Sequence, residues 1–277
     1  MIELPETYVL ADQLNEACKG KTITHAAANS SPHAYAWYTG DPASYNEKLA
    51  GKKVTAANPG TGYSCGGNTE LVCEDMLLVM STPIKFHPPG GKLPPKHQLL
   101  VEFDDGASIT CTVQMWGVML CLPTDKLEWP EGFTVRKSPS PLDDAFDEGY
   151  FNKLWEGVKQ NLSVKAFLAT EQRIPGLGNG VLQDILFNAG LHPRIKLNGI
   201  DDAKREKLFR SVKQTLVDMT LQGGRDTERD LFGCPGGYQT ILSAKTLNKP
   251  CPVCGGEIKR EAYLGGNIYY CPACQPM

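Results

Sequence analysis

The sequence predicts an α+β protein of two lobes: an N-terminal β-sandwich with one leading helix, then a helical lobe that ends in a four-cysteine metal hairpin. Three observations carry this. Short runs broken by turn residues fill residues 21 to 122, apolar residues three and four apart take over after residue 144, and two Cys-x-x-Cys pairs close the chain. A chain of 277 residues is long enough to bury two such cores.

The opening "MIELPETYVLADQLNEAC" reads as a helix, because Pro5 suits a first turn and the carboxylate of Glu6 complements its positive end. From Lys21 to Leu122 the chain reads as β segments. The clearest is "QLLVEFDDGASITCTV", two alternating runs around Asp104-Asp105-Gly106, a hairpin signal. "HPPGGKLPP" before it is a loop by composition. The polar, proline-bearing "RKSPSPLDD" marks a boundary at residues 136 to 144. Beyond it "DEGYFNKLWEGVKQ", "SVKAFLATEQ", "GVLQDILFNAG" and "IDDAKREKLFRSVKQTLVDMTLQGG" show helical spacing. The expected domains are therefore 1–136, the sandwich; 144–224, the helices; and 245–277, the cysteine hairpin.

No charged-then-apolar leader opens the sequence, and the apolar stretches "MLLVM" and "GVMLCL" are too short to span a bilayer. A soluble, cytoplasmic protein without membrane contact is expected. The net charge of −3 hides an asymmetry: residues 151–277 carry 17 Lys/Arg against 12 Asp/Glu, whereas the first 150 carry 11 against 19. Only the second half suits phosphates.

Four of the ten cysteines, Cys251, Cys254, Cys271 and Cys274, form two pairs with sixteen residues between them. Two tight turns can thus aim four thiolates at one tetrahedral ion across a β-hairpin, which predicts a structural Zn2+ site in a reducing compartment. Cys18, Cys65, Cys73, Cys111, Cys121 and Cys234 are expected to be buried or half-buried fillers. In "RIPGLGNGVLQDILFNAGLHP", Gly176 and Gly178 precede a helix, a turn that can face an anion with backbone N–H groups or simply join two helices. A dinucleotide site is excluded because no βαβ context surrounds it. Asn179 at the tip offers a carboxamide to a phosphate oxygen.

Helix, glycine-rich turn, helix and then a four-cysteine hairpin resembles, in this order, the formamidopyrimidine-DNA glycosylase/endonuclease VIII family of base-excision repair enzymes. The opening "ELPE", the stretch "GLGNGVLQDILFNAGLHP" and the pieces "CPVCGGEI" and "YYCPACQ" carry the resemblance. It is thin over nearly the whole chain and densest from Asp144 to Gln275. It implies a helix-two-turn-helix and zinc-finger protein that binds damaged or distorted double-stranded DNA as a monomer, flips a nucleotide out and excises its base, with AP lyase activity.

Family members begin Pro-Glu-Leu-Pro-Glu after loss of methionine, and the proline amine attacks the sugar as a nucleophile. An α-amine, with an ordinary pKa of about 7.7 to 8.0, suits that role. By resemblance Glu3 is the general acid and Glu6 its support. Ile2 stands at the nucleophile's place, and a second residue this bulky predicts that Met1 is retained. "GYSCGGNTELV", where the family's catalytic lysine should fall, has none, and Gly266 stands where its finger arginine should be. The void-filling loop corresponds to "VQMWG", so Trp116 and Met115 are its counterparts, and Met80 matches an inserted methionine or is ordinary core. Asn179, helped by the Gly178 N–H, is expected on phosphate. Arg225, Arg229 and Tyr238 lie in the segment that resembles the loop over the extruded base and are candidates for base or phosphate contact or for a structural loop, and Lys259 and Arg260, on the finger, for phosphate contact or plain solvated charge. Three functions follow as expectations: a glycosylase with altered catalytic groups, a catalytically silent binder of damaged DNA, or a zinc-ribbon protein scaffold.

Overall fold

The computed structural model describes residues 2–60, 63–64, 66–131, 133, 135–159 and 161–277. Met1 and Cys65 lie outside the described residues. Two compact units divide the chain: one holds residues 1–137 and 228–236, the other 138–227 and 237–277. The cysteine hairpin thus shares a unit with the helices, and a short piece of the second half belongs to the first.

Helix α1 (Leu4–Cys18) opens the first unit with a proline in its first turn. It buries Leu10, Leu14 and Cys18, spaced by four, against the sandwich. Strands β1 (Ile23–Ala28), β6 (Ile84–His87), β7 (Leu99–Phe103) and β8 (Ser108–Cys111) form one sheet in the order β1-β7-β8-β6, and the expected Asp-Asp-Gly hairpin is the antiparallel pair β7–β8. Strands β2 (Ala36–Tyr38), β3 (Val54–Asn58), β4 (Thr69–Cys73), β5 (Met76–Met80) and β9 (Gly117–Pro123) form the other, ordered β2-β9-β5-β4-β3, with β2 parallel to β9. A short helix, α2 (Tyr45–Leu49), lies between β2 and β3.

Both sheets contribute to one core, with Ile23, Val101 and Ile109 from the first and Leu71, Leu78 and Met119 from the second. The far face of the five-stranded sheet is apolar too: Val72, Leu77, Val79 and Leu120 pack with Tyr63, Leu127, Trp129 and Phe133. Edge strand β3 is covered by α1, where the Asn15 amide donates to Ala57 O and accepts from Ala57 N–H, both at 2.8 Å. That pairing satisfies backbone groups an open edge would expose.

Residues 228–236 complete this unit from a distance. Leu231 is buried in the sandwich core, its N–H donates to Gln13 Oε1 at 2.9 Å, and its carbonyl accepts from Phe86 N–H at 2.8 Å. Cys18, Cys73, Cys111 and Cys121 are buried as expected, and burial pushes each thiol up to about 12, which makes them inert fillers. Cys234 is instead exposed, because its short loop turns away from the core at Leu231.

The second unit contains α3 (Glu148–Lys153), α4 (Asn179–Ala189), α5 (Asp202–Leu221) and the hairpin β10 (Lys259–Tyr263) and β11 (Gly266–Tyr270). Its core joins Phe146, Phe151 and Phe167 to Ile185, Leu208 and Leu216. "DEGYFNKLWEGVKQ" supplies only the six residues of α3. "SVKAFLATEQ" forms a π-helical turn over Ala166–Thr170, closed by Glu171 N–H on Ala166 O at 2.9 Å. Such wide turns re-aim side chains at sites.

Candidate nucleic-acid interface

The second unit builds its polar surface from the start of α4 and the cysteine hairpin. Gly178 caps α4 in an extended conformation, which places Asn179 at the helix's first position. Asn179 Nδ2 donates to Asn267 O at 2.8 Å. Gln183, one turn on, donates to Asn179 O at 2.9 Å and to Asn267 O at 3.2 Å, and accepts from Tyr269 N–H at 3.0 Å. Helix start and β11 are therefore locked together by side-chain amides.

Below them Cys251, Cys254, Cys271 and Cys274 bring their Sγ atoms within 4.8 Å of one another, with 3.7 Å between Cys251 and Cys274 and 3.4 Å between Cys254 and Cys271. Bonded sulfurs would lie about 2.0 Å apart. Four thiolates around one zinc at about 2.3 Å would lie about 3.8 Å apart. The residues present therefore fit a tetrahedral metal ion with no position left for a reactant, a structural centre. Lys259 and Arg260 are exposed at the start of β10. Arg194 braces the hairpin, pairing with Glu261 at 2.8 Å and lying 4.3 Å over the Tyr263 ring.

Two residues that sequence reasoning missed sit beside these. Lys165, just before the π-helical turn, is 2 % exposed and donates to Tyr263 O at 2.6 Å. Asp184 is 1 % exposed and accepts from the Ile241 and Leu242 N–H groups, both at 2.8 Å. Desolvation raises its pKa to about 6, against the pull of those two N–H groups, the Tyr238 hydroxyl and Arg225. The available signal was a charged residue inside the apolar face of "VLQDILF" and a lone lysine inside "SVKAFL".

This burial bears on two of the candidate residues. Arg225 and Tyr238 are buried and paired as neighbours across a bridge next to Asp184, so they hold the 225–242 loop rather than reach outward. Arg229, in the first unit, is exposed and donates to Gly233 O at 2.7 Å, closing its own loop.

In the first unit, Glu3 is the N-cap of α1, and its N–H donates to Glu6 Oε2 at 3.1 Å in a capping box. Both carboxylates are buried. The helix-capping reading of Glu6 thus has a bond behind it. Ile2 packs its side chain into the sandwich core. Met80 is 0 % exposed and accepts from Cys111 Sγ at 3.4 Å, so of its two expected roles the structure gives it the core one.

Met115 and Trp116 are exposed. Trp116 meets Trp37 edge-on at 6.3 Å, and Trp37 meets Tyr35 at 6.4 Å, which makes an aromatic row along the β2–β9 edge. Gly117 lets this loop close: a Cβ there would lie 2.2 Å from Thr82 Cγ2, an impossible approach. Where a lysine was sought, Glu70 is fully buried and accepts from Tyr63 N–H at 2.9 Å, Ser64 Oγ at 2.7 Å and Asn58 Nδ2 at 3.3 Å. That carboxylate organises its loop from within.

No family model matches the sequence. Among curated proteins, the chain is 28 % identical over 292 residues to the formamidopyrimidine-DNA glycosylase of Cereibacter sphaeroides, spanning 99 % of this chain and 100 % of that protein. It is 26 % identical over 300 residues to that of Rhodopseudomonas palustris, with the same two coverages. Among solved structures, MutM (Fpg) from Thermus thermophilus superposes with a TM-score of 0.80 at 21 % identity, covering 99 % of this chain and 98 % of that one. Lactococcus lactis Fpg in complex with a DNA containing N7-benzyl-Fapy-dG gives 0.81 at 22 % identity, covering 99 % and 100 %. The two-sheet sandwich, the helix-borne Gly-Leu-Gly-Asn turn and the four-cysteine hairpin agree with the resemblance, and the likeness to formamidopyrimidine-DNA glycosylases runs the full length of the chain.

Proposed function

We propose that this protein is a DNA-repair glycosylase that binds damaged double-stranded DNA and releases a base by hydrolysis, with little strand cutting. The observation that carries the reading is the lock between the Asn179 turn and the cysteine hairpin, which presents amide donors and basic side chains on one rigid support. Backbone phosphates are positioned by such groups. The four thiolates would hold zinc, which would supply no chemistry beyond fixing the hairpin.

Ile2 and the lysine-free loop argue against the family's amine route, so the step falls to Glu3. Its carboxylate takes a proton from water as the oxygen bonds to the sugar C1′, while the C1′–N bond breaks, the base leaves with the electron pair, and Glu3 passes that proton on to it. Trp116 and Met115 fill the space beside the displaced nucleotide. A second reading, silent binding of damaged DNA, is favoured by the commitment of Glu6 to the helix cap.

The test measures base release, borohydride trapping and affinity on duplexes carrying oxidised bases or abasic sites. Release without a trapped adduct is expected, with Glu3→Gln keeping affinity and losing release about 100-fold or more. Tight, salt-sensitive binding without release would favour the silent binder. Absence of salt-sensitive duplex binding would sink both.

A further inference from the structure

Strand β2 is an edge of the five-stranded sheet. Tyr35, just before it, and Trp37, within it, stand two residues apart on extended chain and so share a face. Trp116 joins them from the turn before β9, and the three rings are 59 %, 46 % and 47 % exposed. Exposed aromatics scattered singly need no explanation, but a contiguous row of three does.

The spacing says what fits. Neighbouring ring centres lie 6.4 and 6.3 Å apart with their planes tilted by 52° and 63°, so the rings are faces set side by side and not a stack. Bases along one strand of a duplex rise by only about 3.4 Å. Consecutive bases can therefore lie on consecutive rings only in a strand that is unpaired and stretched, and any base has a face to offer.

Charge selects the same occupant. Gln98, 4 % exposed, donates to Ser31 O and accepts from Val113 N–H, both at 2.8 Å, which ties the segment ahead of β2 and the turn ahead of β9 to its own loop. The three segments so joined, residues 29–40, 88–98 and 112–118, hold Lys92 and Lys96 and no Asp or Glu, although the first 150 residues carry 19 acids against 11 bases. Both lysines are exposed. An apolar protein partner would cover the rings and leave these cations unanswered, whereas a polyanion with bases answers both.

We propose that this row is a platform for single-stranded DNA, with unpaired bases stacked on Trp116, Trp37 and Tyr35 and with Lys92 and Lys96 as the cations for its phosphates. The inference rests on the DNA-repair reading above and deepens it: the substrate class is a lesion beside an unpaired stretch, as at a bubble, gap or fork.

Anisotropy of a labelled oligothymidylate and of a fully paired, undamaged duplex tests it in parallel. Trp37→Ala and Tyr35→Ala are each expected to weaken the single strand about tenfold and to leave the duplex unchanged, while Trp37→Phe, which keeps a face, restores most of the loss. Replacing Lys92 and Lys96 together by alanine is expected to lower the single strand's slope of log affinity against log salt by about 1.4 units, about 0.7 for each phosphate released. No loss on the single strand, or an equal loss on both, overturns the platform while duplex binding stands. Tighter binding of oligouridylate than of oligothymidylate overturns the assignment to DNA. Failure of the wild type to bind either form in a salt-dependent way overturns the platform and the function together.

Discussion

Replacing Asp184 by asparagine separates two opposing effects of a buried carboxylate. Its two oxygens accept from Ile241 and Leu242 N–H, each at 2.8 Å. An amide has one oxygen, so one of these N–H groups would face an NH2 instead, and a buried donor without an acceptor costs about 1–3 kcal/mol. Against this, desolvation raises the carboxyl from its ordinary 3.8 to about 6. The unfolded chain therefore releases this proton first. Stability from the group is fully present below about pH 4 and is lost as pH rises through about 6. The gap represents about 3 kcal/mol in all, of which about half falls between pH 5 and 7.5. Asparagine does not titrate, so the penalty of Asp184→Asn should shrink by about 1–2 kcal/mol over that range. Urea unfolding of both proteins at several pH values, with zinc present, measures it. A penalty that stays flat or grows with pH would refute the burial argument.

Three other outcomes are expected. Cys271→Ser, or a chelator, should remove bound metal, as plasma emission would show, and lower DNA affinity at least about tenfold, since the β11 carbonyl and N–H that align the Asn179 turn depend on the hairpin. Trp116→Ala should leave stability within about 0.5 kcal/mol, because the ring is 47 % exposed, yet weaken duplex binding by about 1–3 kcal/mol; unchanged affinity would remove it from the interface. Leu231→Ala should destabilise the first unit by about 2–5 kcal/mol, and a calorimetric shift smaller than about 1 kcal/mol would contradict its place in that core.

Local signals were the legible part of this molecule. Helices α4 and α5 and the β7–β8 hairpin each declare themselves within twenty residues or so, by spacing and turn chemistry. The cysteine pairs did the same for the hairpin β10–β11. Strands β4 and β5 are buried along their whole length, so neither has a polar face to set a period of two. The parallel pairing of β2 with β9 joins residues some eighty positions apart, and nothing in "AWY" announces it. For the site, Asn179 stood out because a glycine-rich turn framed it. Lys165 did not, since its burial is a property of the hairpin laid over it, and Met80 stayed ambiguous because an exposed wedge and a core filler share one residue type.

Leu231 has a consequence for the order in which the protein can mature. Strand β9 ends at Pro123, and the residue that seals the sandwich it belongs to follows more than a hundred positions later. A nascent chain emerging from the ribosome holds every strand of its first unit well before it holds the plug for that unit's interior. Until α5 has been synthesised, Gln13 and Phe86 have no strap to grip, and the young sandwich carries an unfilled apolar notch open to chaperones and proteases.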